Sequence, residues 1–115
     1  MLICYADDSG IWYKITDEDR DNIVDIINSD LHNLSKWALD NNTTFEPTKT
    51  HFSLISGKHS KKFDPSGIVF EGVEIARESQ LKLVGYLIDE KLTWGPMIDK
   101  LAKKARQRLG ILTRI

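Results

Sequence analysis

Two adjacent carboxylates, Asp7 and Asp8, stand between an apolar run, Leu2-Ile3-Cys4-Tyr5, and a second run, Ser9-Gly10-Ile11-Trp12-Tyr13, rich in aromatic and β-branched residues. Aspartate tolerates the backbone angles of a tight turn, so a hairpin turning through Ala6-Asp7-Asp8 is locally allowed. Two ionised carboxylates side by side repel one another, and the pairing is stabilising only when a cation sits near both. Hard oxygen donors at a strand tip suit Mg²⁺, or Mn²⁺ in its place. Mg²⁺ is held by one or two carboxylates while waters and substrate phosphates fill its other positions. Asp7 and Asp8 are therefore the candidate metal ligands.

The elements that must position this pair follow in order. Thr16 or Asp17 caps a helix whose first turn is crowded with acids, as the positive end of a helix dipole favours. Apolar residues recur at Ile23, Ile27, Leu31, Leu34 and Ala38, widened by Val24, Ile26 and Trp37, which predicts one amphipathic helix over residues 18 to 40 with Trp37 in the core. Asp17, Asp19 and Asp21 have the spacing that opens a calcium loop, but Asn22 stands where that loop needs Gly and Asn28 where it needs a bidentate Glu, so the acids belong to the helix start. The helix ends at Asp40-Asn41-Asn42-Thr43-Thr44, and Pro47 keeps the residue before it extended. A strand is expected over residues 49 to 56, a polar loop over 57 to 66, and a hairpin of strands over 68 to 75 and 81 to 89. A final helix opens near Pro96, with Ile98, Leu101, Ala105, Leu109 and Leu112 as its stripe. The fold class is α+β.

Composition narrows the classes. A chain of 115 residues with 41% hydrophobic and 29% charged residues is globular in character, one domain or part of one. Apolar runs fall far short of the roughly 20 residues a membrane span needs, and no signal peptide precedes the first strand; the expectation is a soluble, intracellular protein, cytoplasmic or nuclear, with no membrane partner. The single cysteine, Cys4, is expected as a small buried hydrophobe. Net charge is only −1 but is unevenly spread: residues 1 to 40 carry nine acids against three bases, and residues 41 to 115 carry eight acids against thirteen bases. A basic second half suits a polyanionic partner, and equally suits two halves that attract each other.

Tyr5-Ala6-Asp7-Asp8 resembles the Y/F-x-D-D box of reverse transcriptases, in the form found in non-LTR (LINE-type) retrotransposons and group II intron enzymes. Phe45-Glu46-Pro47-Thr48-Lys49-Thr50 is similar to the L-N-P-x-K-T block of LINE-type enzymes, motif D of the polymerase palm, with Glu46 in place of the usual Asn. Lys82-Leu83-Val84-Gly85-Tyr86-Leu87-Ile88-Asp89, then Leu92-Thr93-Trp94, resembles the K-Y-L-G-V-x-L-D…L-x-W run of motif E, with Leu83 and Val84 departing from Tyr and Leu. The resemblance covers nearly the whole chain and is colinear.

What the resemblance implies is an RNA-directed DNA polymerase: residues 1–94 as a partial palm, carrying motifs C, D and E, and residues 95–115 as a basic helix at the start of the thumb. Asp7 and Asp8 would be catalytic and hold Mg²⁺. Lys49 corresponds to the lysine that protonates the leaving pyrophosphate; otherwise it is a solvated lysine at a strand start. Tyr5 would pack and touch the primer, Gly85 would let a nucleic acid strand pass close to the sheet, and Lys100, Lys103, Lys104 and Arg108 would meet phosphates. Partners implied are an RNA template, a DNA primer and deoxynucleoside triphosphates. Family members draw a third aspartate from a strand upstream of the hairpin, which has no counterpart here. The expectation is thus a C-terminal palm fragment, inactive alone, or a catalytically dead retrotransposon remnant acting at most as a nucleic-acid-binding or oligomerising module. An unpaired sheet edge would favour self-association.

Overall fold

The computed structural model describes residues 2–5, 8–56 and 63–114, with the side chains of Leu2, Ile3 and Tyr5 excepted. The described residues form a small mixed α/β protein with two helices and short strands.

Strands β1 (Leu2–Tyr5) and β2 (Asp8–Ile11) pair antiparallel, from Leu2 opposite Ile11 to Tyr5 opposite Asp8, so two residues connect them. Cys4 is exposed rather than buried, because a two-stranded ladder standing alone leaves its outer face uncovered; its sulfur accepts a hydrogen bond from Ser9 Oγ at 3.6 Å.

The first helix, α1 (Ile23–Asp40), starts later than its periodicity predicts. Thr16 Oγ1 donates to Asp19 Oδ2 at 2.7 Å and Asp19 N donates to the Thr16 carbonyl, and a further turn closes from Asn22 N to the Asp19 carbonyl. These local bonds satisfy the backbone in turns and compete with helix over residues 17 to 22. The other end matches the sequence. Asn42 takes a left-handed φ of 51°, Thr43 N donates to the Ala38 carbonyl and Asn42 N to the Leu39 carbonyl. This is a Schellman closure with Asn in the position Gly usually fills. The α1 face carrying Ile23, Leu31 and Ala38 is buried, whereas Trp37, expected in the core, is 54% exposed. Trp37 lies off the line of these buried residues.

Glu46 is extended before Pro47, as expected, but residues Pro47–Lys49 form a 3₁₀ turn and the strand that follows, β3 (His51–Phe52), is brief. Residues 57 to 62 of the expected loop lie outside the described residues. The region expected as one strand over 68 to 75 is a hairpin, β4 (Val69–Phe70) with β5 (Val73–Glu74). Glu71 and Gly72 both take positive φ, 49° and 79°, the requirement of a type I′ turn. The run over 81 to 89 breaks in the same way, into β7 (Gln80–Leu83) and β8 (Tyr86–Asp89) around Val84 and Gly85 at φ 51° and 81°. Between the hairpins, β6 (Ala76–Arg77) pairs parallel with β3. Among the described residues the strands thus make four two-stranded ladders rather than one sheet.

The core lies between α1 and the β4–β5 hairpin: Leu31, Ile68, Phe70 and Ile75 are buried together, with Val24, Ile27, Phe45 and Phe52 packed around them. The Phe45 and Phe70 rings meet tilted at 5.7 Å, a favourable aromatic geometry. Asn28 fastens helix to hairpin: its Nδ2 donates to the Gly67 carbonyl at 3.0 Å and its Oδ1 accepts from Val69 N at 2.9 Å.

Burial stops there. The accessible surface is 9242 Å², whereas a compact monomer of 13.2 kDa exposes roughly 6,400 Å². The radius of gyration, 17.7 Å, likewise exceeds the roughly 13 Å of a compact domain this long. The last helix, α2 (Gly95–Leu112), contains no buried residue. Among the described residues no helix is long and apolar enough to cross a membrane.

Candidate functional site

Asp8 opens β2 beside the hairpin turn and its side chain is exposed. Asp7 lies outside the described residues, as does the side chain of Tyr5, whose backbone ends β1. Asp8 lines a cavity of about 1590 Å³ enclosed by β2, α1, the segment 44–56 and β7. Lys49 lines the same cavity, at the end of the 3₁₀ turn. Two sequence-predicted site residues some forty positions apart in the chain thus line the same large, open cavity. The cavity floor is apolar, with Ile27, Leu31 and Phe52, and its wall holds the buried hydroxyl of Ser53, which has no hydrogen-bond partner among the described residues.

The elements behind Lys49 are held locally. Thr48 Oγ1 donates to Glu46 Oε1 at 2.6 Å and Thr50 Oγ1 donates to the Glu46 carbonyl at 3.1 Å. The Thr48 hydroxyl holds the Glu46 carboxyl below its usual range. Glu46, the residue that departs from the family pattern, is thus spent on shaping the turn that presents Lys49.

On the other side, β2 meets β7 where Leu83 sits over Gly10: a Cβ added at Gly10 would lie 3.7 Å from both Leu83 methyls. Tyr13 ties the end of this hairpin to α1, its hydroxyl donating to Asp30 Oδ2 at 2.7 Å. Partial burial, then the carboxylate, raise the phenol pKa far above its ordinary value.

The remaining expected contacts gather around α2. Gly85 is held by the fold itself at the tip of β7–β8, where its carbonyl accepts from Lys100 Nζ at 3.1 Å. Lys100 is therefore engaged by the hairpin, whereas Lys103, Lys104 and Arg108 project into solvent. The cavity lining carries as many acidic as basic side chains, whereas α2 carries five bases against one acid.

Sequence reasoning missed the residues that aim α2. Asp89 is buried and accepts from Thr93 N, Thr93 Oγ1 and Trp94 N at 2.9–3.2 Å. Burial pushes its carboxyl pKa up, but the donors from Thr93 and Trp94 outweigh it and hold the group below its ordinary range. These bonds hold Trp94 in a left-handed conformation (φ 62°) immediately before the helix, a strained state for a bulky residue. Leu87 N also donates to Met97 Sδ at 3.4 Å, docking the first turn of α2 on β8. Arg77 is a second unpredicted anchor, donating to Asp64 at 2.6 Å and to Glu90 at 3.0 Å. Asp89 followed by a threonine four residues on, just ahead of Gly95-Pro96, was the available signal for the first anchor; Arg77 has none.

Among the described residues no group of three or more His, Cys, Asp or Glu converges to hold a metal ion. The described part of the box supplies one exposed carboxylate, which fits Mg²⁺ as one member of a pair. Searches of protein-family models, curated proteins and solved structures return no match.

Proposed function

We propose that this chain is part of the palm of an RNA-directed DNA polymerase of the LINE type, with residues 1–94 carrying its metal-binding hairpin and α2 opening the thumb. The observation that carries the reading is the shared cavity of Asp8 and Lys49, the two elements the resemblance assigns to opposite ends of one nucleotidyl transfer. Asp8, with Asp7 beside it in sequence, would hold Mg²⁺ or Mn²⁺. The bound ions would activate the primer 3′-hydroxyl and neutralise charge on the leaving pyrophosphate. Lys49 faces the same space as an ammonium able to give a proton to that leaving group. Lys103, Lys104 and Arg108 would track the phosphates of the template–primer duplex.

Positioning both metals and the nucleotide requires a third carboxylate that this sequence does not supply at the box. The isolated chain is therefore proposed to bind metal weakly and not to polymerise. A second reading is a catalytically dead remnant that binds nucleic acid through α2, whose exposed Lys103, Lys104 and Arg108 stand clear of the hairpin.

Mn²⁺ titration followed by amide line broadening tests the metal assignment. Broadening should centre on Tyr5, Asp8 and Ser9 and disappear in Asp7→Asn/Asp8→Asn. Broadening centred elsewhere, or unchanged in that variant, would remove the hairpin from the metal site.

A further inference from the structure

Among the described residues nothing buries the apolar stripe of α2. Ile98, Leu101, Leu109 and Leu112 are 53–66% exposed, spaced three, eight and three residues apart along one face. The bases Lys100, Lys103, Lys104 and Arg106 lie away from that stripe. A second uncovered face runs along α1. Ile26 and Trp37, 43% and 54% exposed, lie about three turns apart on the same side of the helix, with Asp30 between them and Asp40 just beyond.

We infer that these two faces cover each other between two copies of this chain, α2 of each copy lying on the Ile26–Trp37 face of α1 in the other. Charge selects this pairing over its rivals. The segment Gly95–Leu112 carries five bases against Asp99, so two α2 helices repel when laid together; Ile23–Asp40 carries Asp25, Asp30 and Asp40 against Lys36. An α2 on an α1 buries the α2 stripe against Ile26 and Trp37 and sets Arg106 or Arg108 at the rim toward Asp40. The reciprocal arrangement closes as a two-fold dimer with two equal contacts. The chain exposes roughly 2,800 Å² beyond a compact monomer of its mass, whereas a stable interface takes about 800 Å² from each partner. The contact uses the apolar side of α2 and leaves its basic side open, and it does not depend on polymerase chemistry.

Sedimentation equilibrium of the full chain tests it. The wild type should have twice the chain mass at micromolar concentration. Trp37→Glu and Leu109→Glu, both at exposed positions, should each weaken the dimer at least about tenfold while leaving the far-ultraviolet circular dichroism unchanged. An equimolar mixture of the two variants should regain a dimer, because one of its two contacts then joins an intact α1 to an intact α2. A monomeric wild type overturns the inference. So does a dimer indifferent to Trp37→Glu, which would indicate α2–α2 or sheet-edge pairing, or a mixture that fails to recover. A monomer that instead binds anionic vesicles through Leu109 overturns it as well.

Discussion

Replacing Glu71 with Asn should stabilise the protein. Glu71 is exposed at φ 49°, followed by Gly72 at φ 79°, in the two-residue turn that joins β4 to β5. A left-handed conformation costs an ordinary residue about 1–2 kcal/mol, and Asn relieves part of this because its short side chain bonds locally. Asn-Gly is also the preferred pair for a type I′ turn. Since Glu71 is exposed, little packing is lost, and the net gain is about 0.5–1 kcal/mol. For a chain this long that raises Tm by roughly 2–5 °C. Gly72→Ala runs the other way: a Cβ there meets nothing within 4 Å, so the loss is backbone strain alone, about 1 kcal/mol. Thermal melts and urea titrations of both variants measure the pair. The hairpin presents Phe70 to the core, so its stability is coupled to the global transition. Were Glu71→Asn neutral or destabilising and Gly72→Ala harmless, residues 68 to 75 would be the single strand their sequence suggests and the turn assigned here would be wrong.

Other outcomes follow from particular contacts. Asn28→Ala removes both bonds between α1 and residues 67–69 and should cost about 1–3 kcal/mol, seen as a lower urea midpoint at unchanged slope. Asp89→Asn should destabilise the protein at neutral pH. Asp89 titrates lower when folded than the roughly 3.9 of an unfolded aspartate, so its stabilisation is present above that value and is lost as pH falls through the folded one. The gap between Asp89→Asn and wild type in urea midpoint should accordingly narrow as pH drops below about 4. Binding of a primer–template duplex should fall steeply with salt, vary little with sequence, and vanish when Lys103, Lys104 and Arg108 become Glu; fluorescence anisotropy across a salt series checks this.

The first hairpin, the end of α1 and the start of α2 were legible because their signals are local. An apolar run meets two turn-tolerant aspartates, Asn41-Asn42 terminates α1, and Pro96 opens α2. The two later hairpins were not, because Glu71 and Val84 are poor markers of a left-handed turn and the flanking β-prone residues masked the signal of Gly72 and Gly85. The start of α1 was misplaced because Thr16 and Asp19, read as a helix cap and first turn, instead close turns of their own. Cys4 and Trp37 were expected inside on hydrophobicity, but burial depends on which faces find partners, and α1 covers only one side of a thin assembly of separate ladders. That Asp8 and Lys49 line one cavity is a tertiary fact with no local trace; only the order of the motifs pointed toward it.

Primer extension on an RNA template bears most directly on the proposed function. The chain joined to the fingers and motif A segment of a LINE-type reverse transcriptase should extend the primer, and Asp7→Asn or Asp8→Asn should abolish the product while leaving the fold intact. Undiminished extension by both variants, or a folded but inactive assembly with both aspartates present, would contradict the assignment of these carboxylates to catalysis.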